Sequence, residues 1–242
     1  MILAVGAVLP DALRDHAPLS ALPDARAGVV DGPDLSRWLK RRKDARLLPR
    51  AAELALPAAG IALAGFAGDA EDLGLFVAVG REPPDEGDAE ASIAAMAHDG
   101  RLDRSRLGDA GRALYPPLLP LRTLPNMVLA HIALHHGIRG ENGCLAGGPE
   151  AGAAAWHTAN EALAAGRCRM ALVGAAWSGV DRASARDRLR LGATVPPGEG
   201  AVFALLDAPV ALPAVDVPAW QQRVGDLGPV ALLLGLVATR PG

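Results

Sequence analysis

Short runs of continuously apolar residues, separated by helical patterns, constrain the fold of this chain more than any other feature. The runs occupy Ile2–Leu9, Leu75–Val79, Met170–Ala175 and Ala201–Leu206. A strand that is apolar at every position is typical of a sheet covered on both faces. The sequence therefore predicts an α/β fold in which a mainly central, layered sheet is covered by helices.

Helical patterns fill much of the chain between these runs. They cover Leu48–Ala67, Ala89–His98, Met127–His136 and Pro149–Ala165. Pro57 predicts a bend or an early break in the first of them, and Gly137 predicts the end of the third. The last two patterns are apolar on almost every side, which predicts that both helices lie inside the layered structure.

The composition excludes several classes of protein. Half of the 242 residues are hydrophobic and 21% are charged, which excludes a disordered chain. The net charge of −3 gives no support for nucleic-acid binding. The apolar stretch 54–67 is too short for a membrane span, and the amino terminus lacks the basic residues of a signal peptide. We therefore expect a cytoplasmic protein without a membrane span.

An ordered set of short motifs gives the chain a resemblance to the β-ketoacyl synthases. The first part of the set is Leu124-Pro125-Asn126-Met127, Ala130-His131 and Gly137-Ile138-Arg139-Gly140; the second is Gly152, Gly166, Val173-Gly174 and Gly198-Glu199-Gly200-Ala201. The spacing agrees with the family without a gap from Asn126 to Gly174. The resemblance implies the amino-terminal half of a thiolase-like fold, of the βαβαβαββ type, whose subunits pair across an edge strand. We expect residues 1–242 to form one such domain, with 207–242 as a divergent tail.

Pro149 departs from the family at its most important position. The gapless register places this proline where the resemblance implies a nucleophilic cysteine at the start of a buried helix. Such a thiolate is stabilised by the helix N-terminus and accepts the acyl chain as a thioester. Proline has no nucleophile but suits a first helical turn, and Glu150 adds a favourable negative charge there. We therefore predict no catalytic residue at this position.

The carboxy-terminal motifs of the family form a second departure. The resemblance implies active-site histidines in His-Gly-Thr-Gly-Thr-like motifs, which this sequence does not contain. We therefore expect the carboxy-terminal half to be absent. The combined departures predict a non-catalytic subunit, similar to the short chain length factors of aryl polyene or other polyketide-type fatty acid pathways. It would form a heterodimer with a complete ketosynthase, shape that partner's acyl tunnel, meet acyl carrier protein indirectly and need no cofactor.

Two alternatives remain open from the residues. One is a small hydrolase or decarboxylase on a degenerate thiolase scaffold, which needs Glu150 to converge with His157 or Glu199 near Pro149. The other is a homodimeric scaffold protein.

Further candidates carry weaker signals. The resemblance implies that the stretch 115–121 lies near the dimer contact and the acyl tunnel, so tunnel or interface roles are predicted for Tyr115, Leu118, Leu119, Leu121, Pro149 and Glu150. The basic stretch Lys40–Lys43 is a solvated arm or a docking site for an acidic carrier protein. His131 and His135 have a spacing that can bind a metal, but we predict core or interface histidines and no metal site. Cys144 and Cys168 are predicted to be inert.

Overall fold

The computed structural model describes residues 1–10, 28–80, 86–108, 110–114, 118–180, 184, 190, 192 and 194–238. Seven strands are assigned in these residues: β1 (Ile2–Val8), β2 (Leu73–Val79), β3 (Ala97–His98), β4 (Arg101–Leu102), β5 (Asn142–Ala146), β6 (Met170–Ser178) and β7 (Glu199–Leu206). Five of them form one sheet in the order β1-β7-β6-β2-β5, while β3 and β4 form a separate hairpin. Within the large sheet, β6, β2 and β5 are parallel, and β7 is antiparallel to both β6 and β1.

The helices surround this sheet. They are α1 (Arg50–Ala62), α2 (Glu86–Met96), α3 (Ala110–Leu114), α4 (Asn126–His136), α5 (Pro149–Ala164), α6 (Val217–Val224) and α7 (Gly235–Ala238). Short 3-10 helices occupy Arg42–Leu47, Arg104–Gly108, Leu119–Thr123 and Gly228–Leu234.

The sheet separates two hydrophobic cores. On β2, Leu75 and Val77 pack with α1 and α4, whereas Phe76 and Ala78 pack with α5 and the helix Gly228–Leu234. This alternation follows from the two-residue period of a strand. It confirms the predicted covered sheet, because a strand with cores on both faces must be apolar at every position.

The four predicted strands are present, but β2, β6 and β7 are longer than their apolar runs. β2 begins at Leu73 and continues through Gly74 into the predicted run Leu75–Val79. A Cβ at Gly74 would lie 2.8 Å from the Phe76 ring and 3.0 Å from the Cys168 sulfur. The glycine is therefore required by close packing inside the strand and not by a turn.

The predicted helices also form, with two corrections. α1 ends at Ala62, earlier than predicted, but it continues through Pro57, which is buried within it. Burial of α1 against the sheet and α4 offsets the hydrogen bond that the proline removes. α4 ends at Gly137 in the left-handed conformation (φ 77°), as the sequence predicts.

The prediction that α4 and α5 lie wholly inside the structure is wrong for the described residues. Leu134 on α4 is 52% exposed, and the His157 side chain on α5 is 76% exposed. Both helices bury one side against the sheet and leave the other side open. The apolar pattern of α5 is misleading because alanine, which fills much of this helix, is tolerated on an exposed helical face.

The segment after β7 folds back onto α5. The carbonyl of Val210 accepts hydrogen bonds from Trp156 Nε1 (2.8 Å) and Asn160 Nδ2 (2.9 Å), and its N–H donates to Asn160 Oδ1 (3.0 Å). Further on, a Cβ at Gly152 would lie 2.2 Å from the Pro229 carbonyl oxygen. Residues 208–238 thus form part of the core on the α5 side of the sheet.

Candidate functional site

The turn between β5 and α5 carries the predicted site. β5 leads through Gly147 and Gly148 into Pro149, the first residue of α5. Gly147 donates its N–H to the Val79 carbonyl at 3.0 Å, which fixes the turn beside the end of β2. Gly148 is the N-cap residue, with φ −84° and ψ −151°. Pro149 fits the next position because the first N–H groups of a helix have no intrahelical acceptor.

Glu150 turns its carboxylate back over this helix N-terminus. Its Oε1 accepts a hydrogen bond from the Gly148 N–H at 2.8 Å. Hydrogen bonds from the backbone N–H groups of Glu150 and Gly148 lower the pKa of the carboxyl below its usual value. The side chain is exposed and ionised at neutral pH. These backbone N–H groups at the start of α5 are therefore already hydrogen-bonded to a carboxylate of this chain.

The Trp177 side chain packs next to this turn. A Cβ on Gly80 would lie 1.8 Å from the Trp177 indole, and Gly179 and Gly228 also face this ring. Trp177 packs against the core that contains Ala151 in the first turn of α5. Neither Trp177 nor its contacts with Gly80 and Gly228 were identified from the sequence, since these glycines are 97 and 51 residues away from Trp177 along the chain.

The acid–base group that an enzyme would need near Pro149 is not assembled. His157 lies eight residues beyond Pro149 on α5, about 12 Å along the axis, and its Nε2 pairs with Glu161 at 3.1 Å. Glu199 is fully buried and engaged with Arg50. The α4 histidines lie on the other side of the sheet. The described residues thus place no histidine at the start of α5, which gives the hydrolase or decarboxylase alternative no support.

Glu199 instead belongs to a buried network. Arg50 Nη2 and Nε bind its two carboxylate oxygens at 2.7 and 3.1 Å, the Ser178 hydroxyl donates at 2.8 Å, and the Val30 N–H donates at 2.9 Å. The hydrogen bonds from Arg50 to Glu199 are the main cause that raises the pKa of the guanidinium, and the bond to Glu53 adds to this effect. The sequence indicated Glu199 as part of a glycine turn and as a candidate acid–base group, but not as the centre of a buried network, and it gave no signal for Arg50.

The described part of the predicted tunnel stretch 115–121 lies beside α4. Leu118 is 57% exposed, Leu121 is half-buried, and Leu119 begins the helix Leu119–Thr123, which packs against α4. Tyr115 lies outside the described residues. Their contact with a partner's tunnel stays a prediction.

Histidines and cysteines in the described residues show no reactive arrangement. His131 and His135 are 5% and 7% exposed, and their rings stack with centroids 6.0 Å apart. Among the described residues, no group of three or more His, Cys, Asp or Glu side chains is arranged to hold a metal ion. Burial raises the pKa of the Cys144 thiol to about 11 and raises that of Cys168 as well. At neutral pH both thiols are protonated and are weak nucleophiles.

β5 is an edge strand of the sheet, paired with β2 alone among the described strands. Leu75 donates to the Glu141 carbonyl and Gly147 donates to the Val79 carbonyl. Alternate residues of a parallel strand bond to opposite sides. The backbone N–H and C=O groups of Asn142, Cys144 and Ala146 therefore face away from β2, toward the open edge.

A surface cleft of about 580 Å³ lies elsewhere on the molecule. Asp72 and Met170, at the amino ends of β2 and β6, contribute to its lining together with Arg169 and Asp207. Pro149 follows the carboxyl end of β5, so this cleft lies at the opposite end of the parallel strands. No helix in the described part of the chain is long and apolar enough to cross a membrane.

Comparison with known proteins identifies relatives of this arrangement. A family model described as the beta-ketoacyl synthase N-terminal domain matches residues 31–204. No curated protein matches the chain.

Solved structures share the fold. One is a type II polyketide synthase acyl carrier protein in complex with its ketosynthase (16% identity, TM-score 0.64, covering 86% of this chain and 62% of that one). A second is the ishigamide ketosynthase/chain length factor (24%, 0.56, 87% and 62%). A third is a ketosynthase in complex with its chain length factor from Xenorhabdus doucetiae (16%, 0.55, 86% and 78%). The chain thus spans less than two thirds of the first two matched chains, and these likenesses confirm the thiolase-like α/β fold.

Proposed function

Since this chain belongs to the β-ketoacyl synthase family through its amino-terminal domain, we propose that it is a non-catalytic subunit that pairs with a ketosynthase, similar to a chain length factor. The observation that carries this proposal is the start of α5. Pro149 occupies the first helical position, where the family resemblance implies the cysteine nucleophile, and Glu150 covers the donors beside it. A thioester cannot form at a residue without a thiol.

The surroundings of Pro149 support the same conclusion. A condensation site needs donors aimed at the developing oxyanion. In the described residues, the side chains predicted for acid–base work are engaged elsewhere: Glu199 with Arg50, and His157 with Glu161. The nearest charged group to the helix N-terminus along the chain is the Glu150 carboxylate, which repels an oxyanion.

The open edge of β5 supports an association with another subunit. An exposed strand presents unpaired N–H and C=O groups, which pair readily with a second strand. The outward groups of Asn142, Cys144 and Ala146 provide such an edge immediately before Pro149. A subunit that pairs there brings its own residues close to the α5 turn.

The segment 86–124 supplies a second surface for a partner. Large apolar side chains on it are exposed to solvent, at Ile93, Leu102, Leu114, Leu118 and Leu124. Exposed apolar residues concentrated in one stretch of chain favour a protein contact. We propose that Tyr115, Leu118, Leu119 and Leu121 reach the acyl tunnel of the ketosynthase and limit its depth.

The related complexes support a ketosynthase as the partner. Two of the solved structures contain a ketosynthase with a chain length factor. Nearly equal shares of the present chain cover 78% of the matched Xenorhabdus doucetiae chain but only 62% of each of the other two chains. The Xenorhabdus doucetiae chain is therefore the shortest of the three. The proposal places the assembly in the cytoplasm, in polyene or polyketide-type fatty acid synthesis. Acyl carrier protein would meet this chain through its partner.

The lack of chemistry at Pro149 is tested by acylation of the isolated chain. The chain and its Pro149→Cys variant are incubated with an acyl-loaded carrier protein and malonyl carrier protein, and intact masses and products are measured. The wild-type chain is expected to gain no acyl mass. The variant is expected to form no condensation product, because the described residues place no histidine near the start of α5 to act on the substrate. A new carbon–carbon bond formed by either isolated chain contradicts the proposal.

A further inference from the structure

We infer that His135 is a protonation-sensitive latch that holds the basic segment, residues 37–46, against α4. The inference goes beyond the proposed partner role and does not depend on it. It rests on a hydrogen bond from the backbone of the basic segment to a buried imidazole.

The latch is a single contact between distant parts of the chain. The Lys40 backbone N–H donates to His135 Nδ1 at 3.1 Å. An imidazole nitrogen accepts a hydrogen bond only when it carries no proton, so this contact requires neutral His135 with its proton on Nε2. His135 is 7% exposed, and its Nε2 is buried without a hydrogen bond.

Neighbouring packing holds the same segment in place. Trp38 fills the space above Gly60, where a Cβ would lie 1.9 Å from the indole, and its ring is 6.0 Å from that of His136. His136 Nε2 lies 3.0 Å from the Leu56 carbonyl on α1. These contacts align the basic segment with α4, so that the Lys40 N–H meets His135.

Burial and nearby charges both act on His135. Burial is the main cause that lowers its pKa; Asp44 is the next largest influence and raises it, and Lys40 and Arg41 lower it. The Asp44 carboxylate already accepts a hydrogen bond from Arg41, at 3.2 Å from Nε to Oδ2. On α4 itself, His131 and His136 also have lowered pKa values, chiefly from burial, and each is lowered further by charge on His135.

Protonation of His135 would therefore break the latch. Nδ1 would become a donor that faces the Lys40 N–H, and a new positive charge would lie beside Lys40 and Arg41. Because the folded pKa is below the usual value of about 6.5, the latch is intact at neutral pH. It weakens as the pH falls from about 6.5 through the lowered value.

Release of the latch changes a charged surface. The basic segment contains six exposed cationic side chains, at Arg37, Lys40, Arg41, Arg42, Lys43 and Arg46. The buried Asp44 is its single acidic residue. The presentation of this positive surface thereby becomes dependent on pH.

Hydrogen exchange of the peptide 36–47 between pH 7.5 and 5.5 tests the latch. Wild type is compared at each pH with His135→Asn, whose Oδ1 reproduces the Nδ1 acceptor without titrating; this comparison cancels the pH dependence of intrinsic exchange. The ratio of wild-type to variant exchange rate is expected to rise at least about threefold by pH 5.5. The exposed His157→Asn variant should follow wild type throughout.

A constant ratio over this pH range overturns the inference. A second measurement needs no variant: an NMR titration of the wild-type imidazoles should give His135 a pKa below 6.5. A value at or above 6.5 also overturns the inference, even if the asparagine variant does not fold.

Discussion

At the scale of single residues, Glu199 connects four parts of the chain. Its carboxylate, at the start of β7, accepts hydrogen bonds from three donors. They are the Arg50 side chain at the start of α1, the Ser178 hydroxyl at the end of β6, and the Val30 backbone N–H. Glu199 is fully buried, whereas the Arg50 side chain is 30% exposed. Loss of the arginine would leave a desolvated negative charge with only neutral donors, which is far costlier than loss of an exposed ion pair.

Replacement of this arginine tests the network. Arg50→Met is expected to lower the free energy of unfolding by about 3–5 kcal/mol at pH 7, measured by urea denaturation. Arg169→Met is the control, because its guanidinium is 82% exposed and lies 3.6 Å from Asp72. The control should lose no more than about 1 kcal/mol. Equal losses in the two variants would show that the buried network does not stabilise the fold.

At the candidate site, the position of a residue could be predicted from the sequence where it depends only on its neighbours along the chain. Pro149 at the first position of α5, with Glu150 beside it, follows from rules for the first turn of a helix. The Lys40–His135 bond and the Trp177 contacts were not predictable, because they join residues that are distant in sequence. Arg50 was missed for the same reason: nothing around it in the sequence indicates a partner 149 residues away.

At the scale of elements, the edge of β5 is the surface on which the proposed association depends. Ala146 is exposed, and its N–H faces away from β2 by the alternation of the ladder. A proline at such a position removes an outward donor without removing a bond to β2. The edge can therefore be altered while the sheet is kept.

An Ala146→Pro variant is expected to weaken association with the ketosynthase at least about tenfold, by loss of an intermolecular backbone bond and by the bulk of the ring. Binding is measured by titration calorimetry, and thermal unfolding reports the stability of the variant. Ala146→Gly, at the same position, retains the N–H and should bind within about twofold of wild type. Unchanged binding by a folded proline variant would exclude this edge from the interface.

The four strands with continuous apolar runs, β1, β2, β6 and β7, were the most predictable elements, and the segment after β7 was the least. A buried strand has its own apolar signature, whereas residues 208–238 form short helices whose positions are set by contacts with α5. The Val210 backbone is held by Trp156 and Asn160. Such a contact depends on a tertiary arrangement and leaves no periodic pattern in either segment.

At the scale of the whole molecule, the chain has the scaffold of its family without the nucleophile expected on that scaffold. The sheet and helices follow the β-ketoacyl synthase amino-terminal domain, yet the turn into α5 presents proline and a carboxylate. The open edge of β5 begins seven residues before that turn. The architecture thus favours a role in shaping an assembly over a role in bond formation.

Native mass spectrometry after co-expression with an intact candidate ketosynthase gives the sharpest test of the proposed pairing. The account predicts a one-to-one complex, in which this chain adds 24.8 kDa to a single ketosynthase subunit, and catalytic acylation confined to the ketosynthase. Separate homodimers of the two proteins, with no mixed species at micromolar concentrations, would contradict it.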